Sequence, residues 1–243
     1  IATVKPRLLG TYAAGFLVLT VASLPLIALA SVALYLVFFA GDMKVLPFAL
    51  VIASDAIAWR LTETVIVVNN GLNRFGIYAI IMRLVDLTAI PIRSFSMLLV
   101  QRMMRAPEML NRWKLRLGIE GAIFAVSTLA LASLAVILLF YPTLLGRNVA
   151  EAAPLVILAL AVPGLRNLTE YQADLLFARG QTFIRAVNLG VLALGKAALL
   201  SLVLKNFTET RDIILSLNAV FAVLYVLSMV LTYRALARPA KRV

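Results

Sequence analysis

The sequence predicts an all-α polytopic membrane protein with about seven transmembrane helices. Three observations carry this expectation. Of the 243 residues, 63% are hydrophobic and only 14% are charged, whereas soluble domains run at about 45–50% apolar and about 25% charged. Mean hydropathy is +1.00. The apolar residues also gather into runs long enough to cross a hydrocarbon core of about 30 Å, which needs about 20 helical residues.

In chain order, the first span covers about 8–40 and is overlong, with Ser23 and Pro25 expected to kink it. The second runs about 45–68 and the third about 75–99, with Pro91 inside it. The fourth covers about 118–141 and stops at Tyr141-Pro142. The fifth spans about 152–178 with Pro163-Gly164 near its middle, the sixth about 183–204 and the seventh about 213–236. No connection between them is long enough to fold alone, so residues 1–243 read as a single helical membrane domain.

Composition excludes several chemistries. The chain has no His and no Cys, which removes disulfides, thiol nucleophiles, imidazole bases and the usual zinc and haem sites. A Ser-His mechanism is excluded with them. The expectation is therefore no enzyme, no metal and no cofactor. A net charge of +12 suggests nucleic acid at first sight. The cations instead sit mostly in loops beside apolar spans, where they set topology, so no nucleic-acid partner is expected.

Eleven loop cations fall on one side: Lys44, Arg102, Arg105, Arg112, Lys114, Arg116, Arg179, Arg234, Arg238, Lys241 and Arg242. The other side has six: Lys5, Arg7, Arg74, Arg147, Lys205 and Arg211. Positive-inside logic places the C-terminus in the cytoplasm and Ile1 outside. An external start without Met, before an odd number of spans, suggests that earlier spans precede Ile1. The longest loop, about 100–117, contains MLNRWKLRLG and reads as a cytoplasmic interfacial segment with Trp113 at headgroup depth.

Ionisable residues inside the spans pose the functional question. Span two carries Asp55, Arg60 and Glu63; span three carries Arg83 and Asp86. Span five carries Arg166, Glu170 and Asp174 at i, i+4 and i+8, along one helix face. Span six adds Lys196, and span four has Glu120 near its start. Each charge at mid-bilayer costs roughly 2.5–3.5 kcal/mol on insertion scales, so these helices need partners. One account is mutual neutralisation: Arg83 with Asp86 and Arg60 with Glu63 at i, i+3, and Arg166 with Glu170 at i, i+4. The other is a hydrated cavity whose cations hold an anionic substrate or whose carboxylates take a coupling ion or proton. For the whole set, the cavity account is favoured.

Three stretches resemble a known family. The first is Arg74-Phe75-Gly76-Ile77-Tyr78-Ala79, then Met82-Arg83-Leu84 and Ile90-Pro91. The second is Tyr141-Pro142-Thr143-Leu144-Leu145-Gly146-Arg147 followed by Glu151-Ala152-Ala153-Pro154-Leu155. The third is Asp174-Leu175-Leu176-Phe177-Ala178-Arg179-Gly180. Over roughly residues 45–236 the chain resembles the C-terminal half of a polysaccharide (lipid-linked oligosaccharide) flippase of the multidrug/oligosaccharidyl-lipid/polysaccharide exporter superfamily.

The resemblance implies half of a two-lobed, twelve-helix transporter in a bacterial inner membrane. It implies alternating access that moves an undecaprenyl-diphosphate-linked oligosaccharide, with membrane lipid, that glycan and a missing N-terminal half as partners. It places Arg60 and Arg83 on the cavity wall. From the charged spans themselves, Arg60 and Arg83 are the expected ligands of the anionic head group, with Arg166 and Lys196 as secondary cations. Asp55, Glu63, Asp86, Glu170 and Asp174 are the candidates for charge pairing or ion coupling. The alternatives are a drug or small-solute exporter of the same superfamily, a non-transporting subunit of a membrane complex, and, least favoured, an intramembrane transferase.

Overall fold

Twenty-eight consecutive residues, Trp113–Phe140, form the longest helix of the structure, a computed structural model that describes residues 77–89, 91–92, 95–96, 98–106 and 112–237. All regular structure among these residues is helical. Helix α1 covers 77–89 and α2 covers 98–105. They are followed by α3 (Trp113–Phe140), the short α4 (Arg147–Ala150) and α5 (Ala153–Val156), then α6 (Ala161–Ala178), α7 (Thr182–Asn206) and α8 (Thr210–Leu236). Helices α3, α7 and α8 are each long and apolar enough to cross a membrane. The predicted spans at 8–40 and 45–68 lie outside the described residues, and with them Asp55, Arg60 and Glu63.

Burial along α3 follows one stripe: Glu120, Ile123, Ser127, Leu131, Ala135 and Leu138. Steps of three and four residues keep these side chains on one helix face. Apolar side chains also cover the rest of the helix, with Leu129, Leu139 and Phe140 exposed. A helix apolar all round with one narrow packed seam suits a lipid environment. Helix α8 repeats the pattern through Leu217, Val220, Phe221, Leu224, Ser228, Thr232 and Ala235.

Helix α6 is the opposite case. It is the most polar of the long helices and buries residues on every side, among them Arg166, Asn167, Tyr171 and Gln172. It packs against α8 and α3 most extensively and against α7 as well. Polar groups that hydrocarbon cannot solvate are thereby placed in the protein interior. Its approach to α3 is close at Gly164, where a Cβ would lie 2.6 Å from Phe124 Cδ2 and 3.0 Å from Thr128 Oγ1. Gly180 ends the helix with φ of 76°, a conformation that glycine enters at no steric cost. There the Gln181 N–H donates to the Leu176 carbonyl and the Gly180 N–H to the Phe177 carbonyl. These two bonds form a Schellman motif.

Two boundaries differ from the sequence reading. The single span expected over 152–178 is broken into α5, a 3-10 turn at Ile157–Ala159, and α6. Pro163 has no N–H, and its ring crowds the carbonyl four residues earlier, so a continuous helix fails at this point. Asn218 of α8 repairs the break. Its Oδ1 accepts from the Ala161 N–H at 3.1 Å, and its Nδ2 donates to the Leu158 carbonyl at 2.6 Å. The expected loop over 100–117 is also shorter. Residues 98–105 are helical, and α3 starts at Trp113 rather than near 118.

Two candidate charged sites between the helices

One site is built around a guanidinium. Arg166 on α6 is 4% exposed and forms ion pairs with Asp86 of α1, at Nη1–Oδ1 2.5 Å, and with Glu170 one turn along α6, at 3.7 Å. The Arg166–Glu170 pair is the one that i, i+4 spacing suggested. Asp86 does not follow the i, i+3 expectation. It reaches across to Arg166, while Arg83 is exposed on α1 beside the fully buried Ile81 and Val85. A buried cation needs a countercharge far more than an exposed one does, and Arg166 therefore takes the carboxylate. Arg166, expected as a secondary substrate cation, is ion-paired here with two carboxylates.

Further along α6, Asp174 accepts a hydrogen bond from Arg185 Nη2 at 3.2 Å, and that guanidinium lies 5.2 Å from the Phe177 ring centroid. Asp174 is thus a pairing residue, and its partner opens α7. Lys196 lies 5.7 Å from the centroid of Phe221, on the seam between α7 and α8. Arg166 and Lys196 occupy different helix seams.

The second site is built around a carboxylate. Glu120 on α3 is 3% exposed. Tyr225 donates to its Oε2 at 3.0 Å and Tyr233 to its Oε1 at 2.8 Å, both from α8. Gln172 Nε2 of α6 lies 3.5 Å from the same Oε1. Tyr171, fully buried, belongs to the packed cluster around Ile123, Met103 and Leu175. One turn before Glu120, the Arg116 guanidinium stacks 4.9 Å from the Tyr233 ring centroid. Neutral donors on two helices thus satisfy a buried anion of a third. Asn167 Nδ2 on Ser127 Oγ, at 3.0 Å, and Asn188 Nδ2 on Ser228 Oγ, at 3.1 Å, add polar rungs between α6 and α3 and between α7 and α8.

Sequence reasoning noted Glu120 but did not rank it, and it missed Tyr225, Tyr233, Gln172 and Arg185. A signal existed for the tyrosines. In the apolar last span, two partly buried tyrosines favour partners for their hydroxyls, and a buried carboxylate is the acceptor most in need of donors. Comparison with protein-family models gives no match, and neither does comparison with curated proteins or with solved structures.

Proposed function

We propose that the chain is the C-terminal half of an alternating-access flippase that carries an undecaprenyl-diphosphate-linked oligosaccharide across a bacterial inner membrane. In this orientation the start of α3 faces the cytoplasm. The observation that carries the reading is Arg83, exposed on α1 within a stretch read as membrane-spanning. A charge facing lipid there costs roughly 2.5–3.5 kcal/mol, so a water-filled cavity between two halves is the favoured place for it. A planar guanidinium suits bidentate contact with a diphosphate. The loose sequence resemblance and the break in α5–α6, a feature of transporter helices, support the same reading. A drug or small-solute exporter is the nearest alternative. It separates by whether cells lacking the protein lose surface glycan or become drug-sensitive.

The test is Arg83→Ala in a strain whose surface glycan depends on the protein. Export is expected to be abolished while the variant still inserts at wild-type level. Wild-type glycan display would overturn the assignment. A second reading, a non-transporting subunit held by buried ion pairs, is favoured by the Arg166–Asp86 bridge. Under it, exchanging the two charges restores stability and no transport phenotype accompanies any variant.

A further inference from the structure

The two ends of the bundle differ in charge. At one end, α2 finishes, α3 begins, the α6–α7 turn closes and α8 finishes. Gln181 Nε2 on the Ala235 carbonyl and Arg116 on the Tyr233 ring tie the last three together, and Met103 of α2 lies in the cluster that Ile119, Ala178 and Leu236 pack against. This end exposes Arg102, Arg105, Arg112, Lys114 and Arg234. Its described carboxylates are already engaged, Glu120 by the tyrosines and Asp174 by Arg185. At the other end, exposed Lys205 and Arg211 are offset by exposed Glu151 and Glu209.

The first turn of α3 shows what the basic end meets. From 112 to 117 the sequence alternates cation and large apolar residue: Arg112, Trp113, Lys114, Leu115, Arg116, Leu117. Trp113 is 59% exposed and Leu117 48%, and the Lys114 ammonium lies 5.9 Å from the Trp113 ring centroid. A polyanion in water would match the cations and leave the tryptophan and leucines wet. A headgroup layer matches both, with phosphate for the cations and the acyl boundary for the apolar rings and chains. Arg116 is held on Tyr233 with its Nε and Nη1 buried, and its charge lies on the helix face of Arg112 one turn away.

We infer that this end is a docking surface for anionic phospholipid headgroups, with the exposed Arg112 and Lys114 taking the phosphates and Trp113 seated at their depth. This goes beyond the proposed transport. It concerns the bulk lipid of one leaflet and holds for a transporter or a structural subunit alike. A cation near an anionic surface gives about a five-fold preference each.

The experiment places the protein, with Trp59→Phe so that Trp113 reports, in mixed phosphatidylcholine and phosphatidylglycerol vesicles. Either one lipid or the other is brominated, at equal mole fraction. Brominated phosphatidylglycerol is expected to quench Trp113 with a several-fold higher relative association constant. Arg112→Gln/Lys114→Gln, both exposed positions, should bring the ratio toward one, and Lys205→Gln/Arg211→Gln at the opposite end should leave it unchanged. Equal quenching by both lipids in the unsubstituted cations overturns the inference whether or not the variants fold. So does an equal fall in the opposite-end variant. Loss of the preference on adding inorganic phosphate, against chloride at the same ionic strength, would assign a soluble phosphate ligand instead.

Discussion

Arg166 and Glu120 are equally buried, at 4% and 3% exposure, yet the protein accommodates them by different means. The guanidinium is neutralised by two carboxylates, Asp86 and Glu170, both partly exposed. The carboxylate has no cation within ion-pair reach among the described residues and is solvated by tyrosine hydroxyls and an amide. The difference teaches which part of each site is replaceable. Countercharges act through distance and tolerate displacement, whereas hydroxyl donors act through direction and must be placed by packed helices. The Arg166 site joins α6 to one neighbour through its strongest contact. The Glu120 site ties α3, α6 and α8 together.

Three sets of substitutions sharpen or break that contrast. The largest effect is expected from Asp86→Ala, which removes one of the two countercharges of Arg166 and should cost about 3 kcal/mol, read as a lowered unfolding midpoint in detergent. Replacing both partners, Asp86→Met with Arg166→Met, should recover most of it, since the buried guanidinium is then removed together with the countercharge it needs. A double variant as unstable as the single one would break the account of simple neutralisation.

A smaller loss, about 1–2 kcal/mol, is expected for Glu120→Gln, which keeps one carbonyl acceptor and loses the other. Combining it with Tyr233→Phe should fall short of the sum by about 1 kcal/mol, because the two side chains share one hydrogen bond. Strict additivity in that cycle would show that the tyrosine does not solvate the carboxylate. The smallest effect is expected at Gly180→Ala, about 1 kcal/mol, from the positive φ alone. It should lower Tm without touching either charged site.

How much of this was legible in the sequence depends on the range of the interaction. The last two helices appeared within a few residues of their bounds, since their apolar runs are bounded by polar turns. The Arg166–Glu170 pair was legible because one helical turn fixes it. Arg83 with Asp86 has an equally good spacing, yet Asp86 bridges to Arg166, because spacing gives proximity but not need. Arg166, buried in another helix, had the stronger claim on that carboxylate. The partners of Glu120 lie 105 and 113 residues away, so no local period contains them. The break before α6 was half legible. Pro163 marked the weak point, but Asn218, whose amide bonds the interrupted backbone, belongs to a helix that reads as largely apolar.

That repair has a consequence for biosynthesis. The Leu158 carbonyl and the Ala161 N–H find their partner 60 and 57 residues later in the chain. At about 5–20 residues per second, the interrupted backbone emerges several seconds before the amide that completes it. The last helix therefore acts as a closing step, and truncation before Asn218 leaves α6 without a dry resting state.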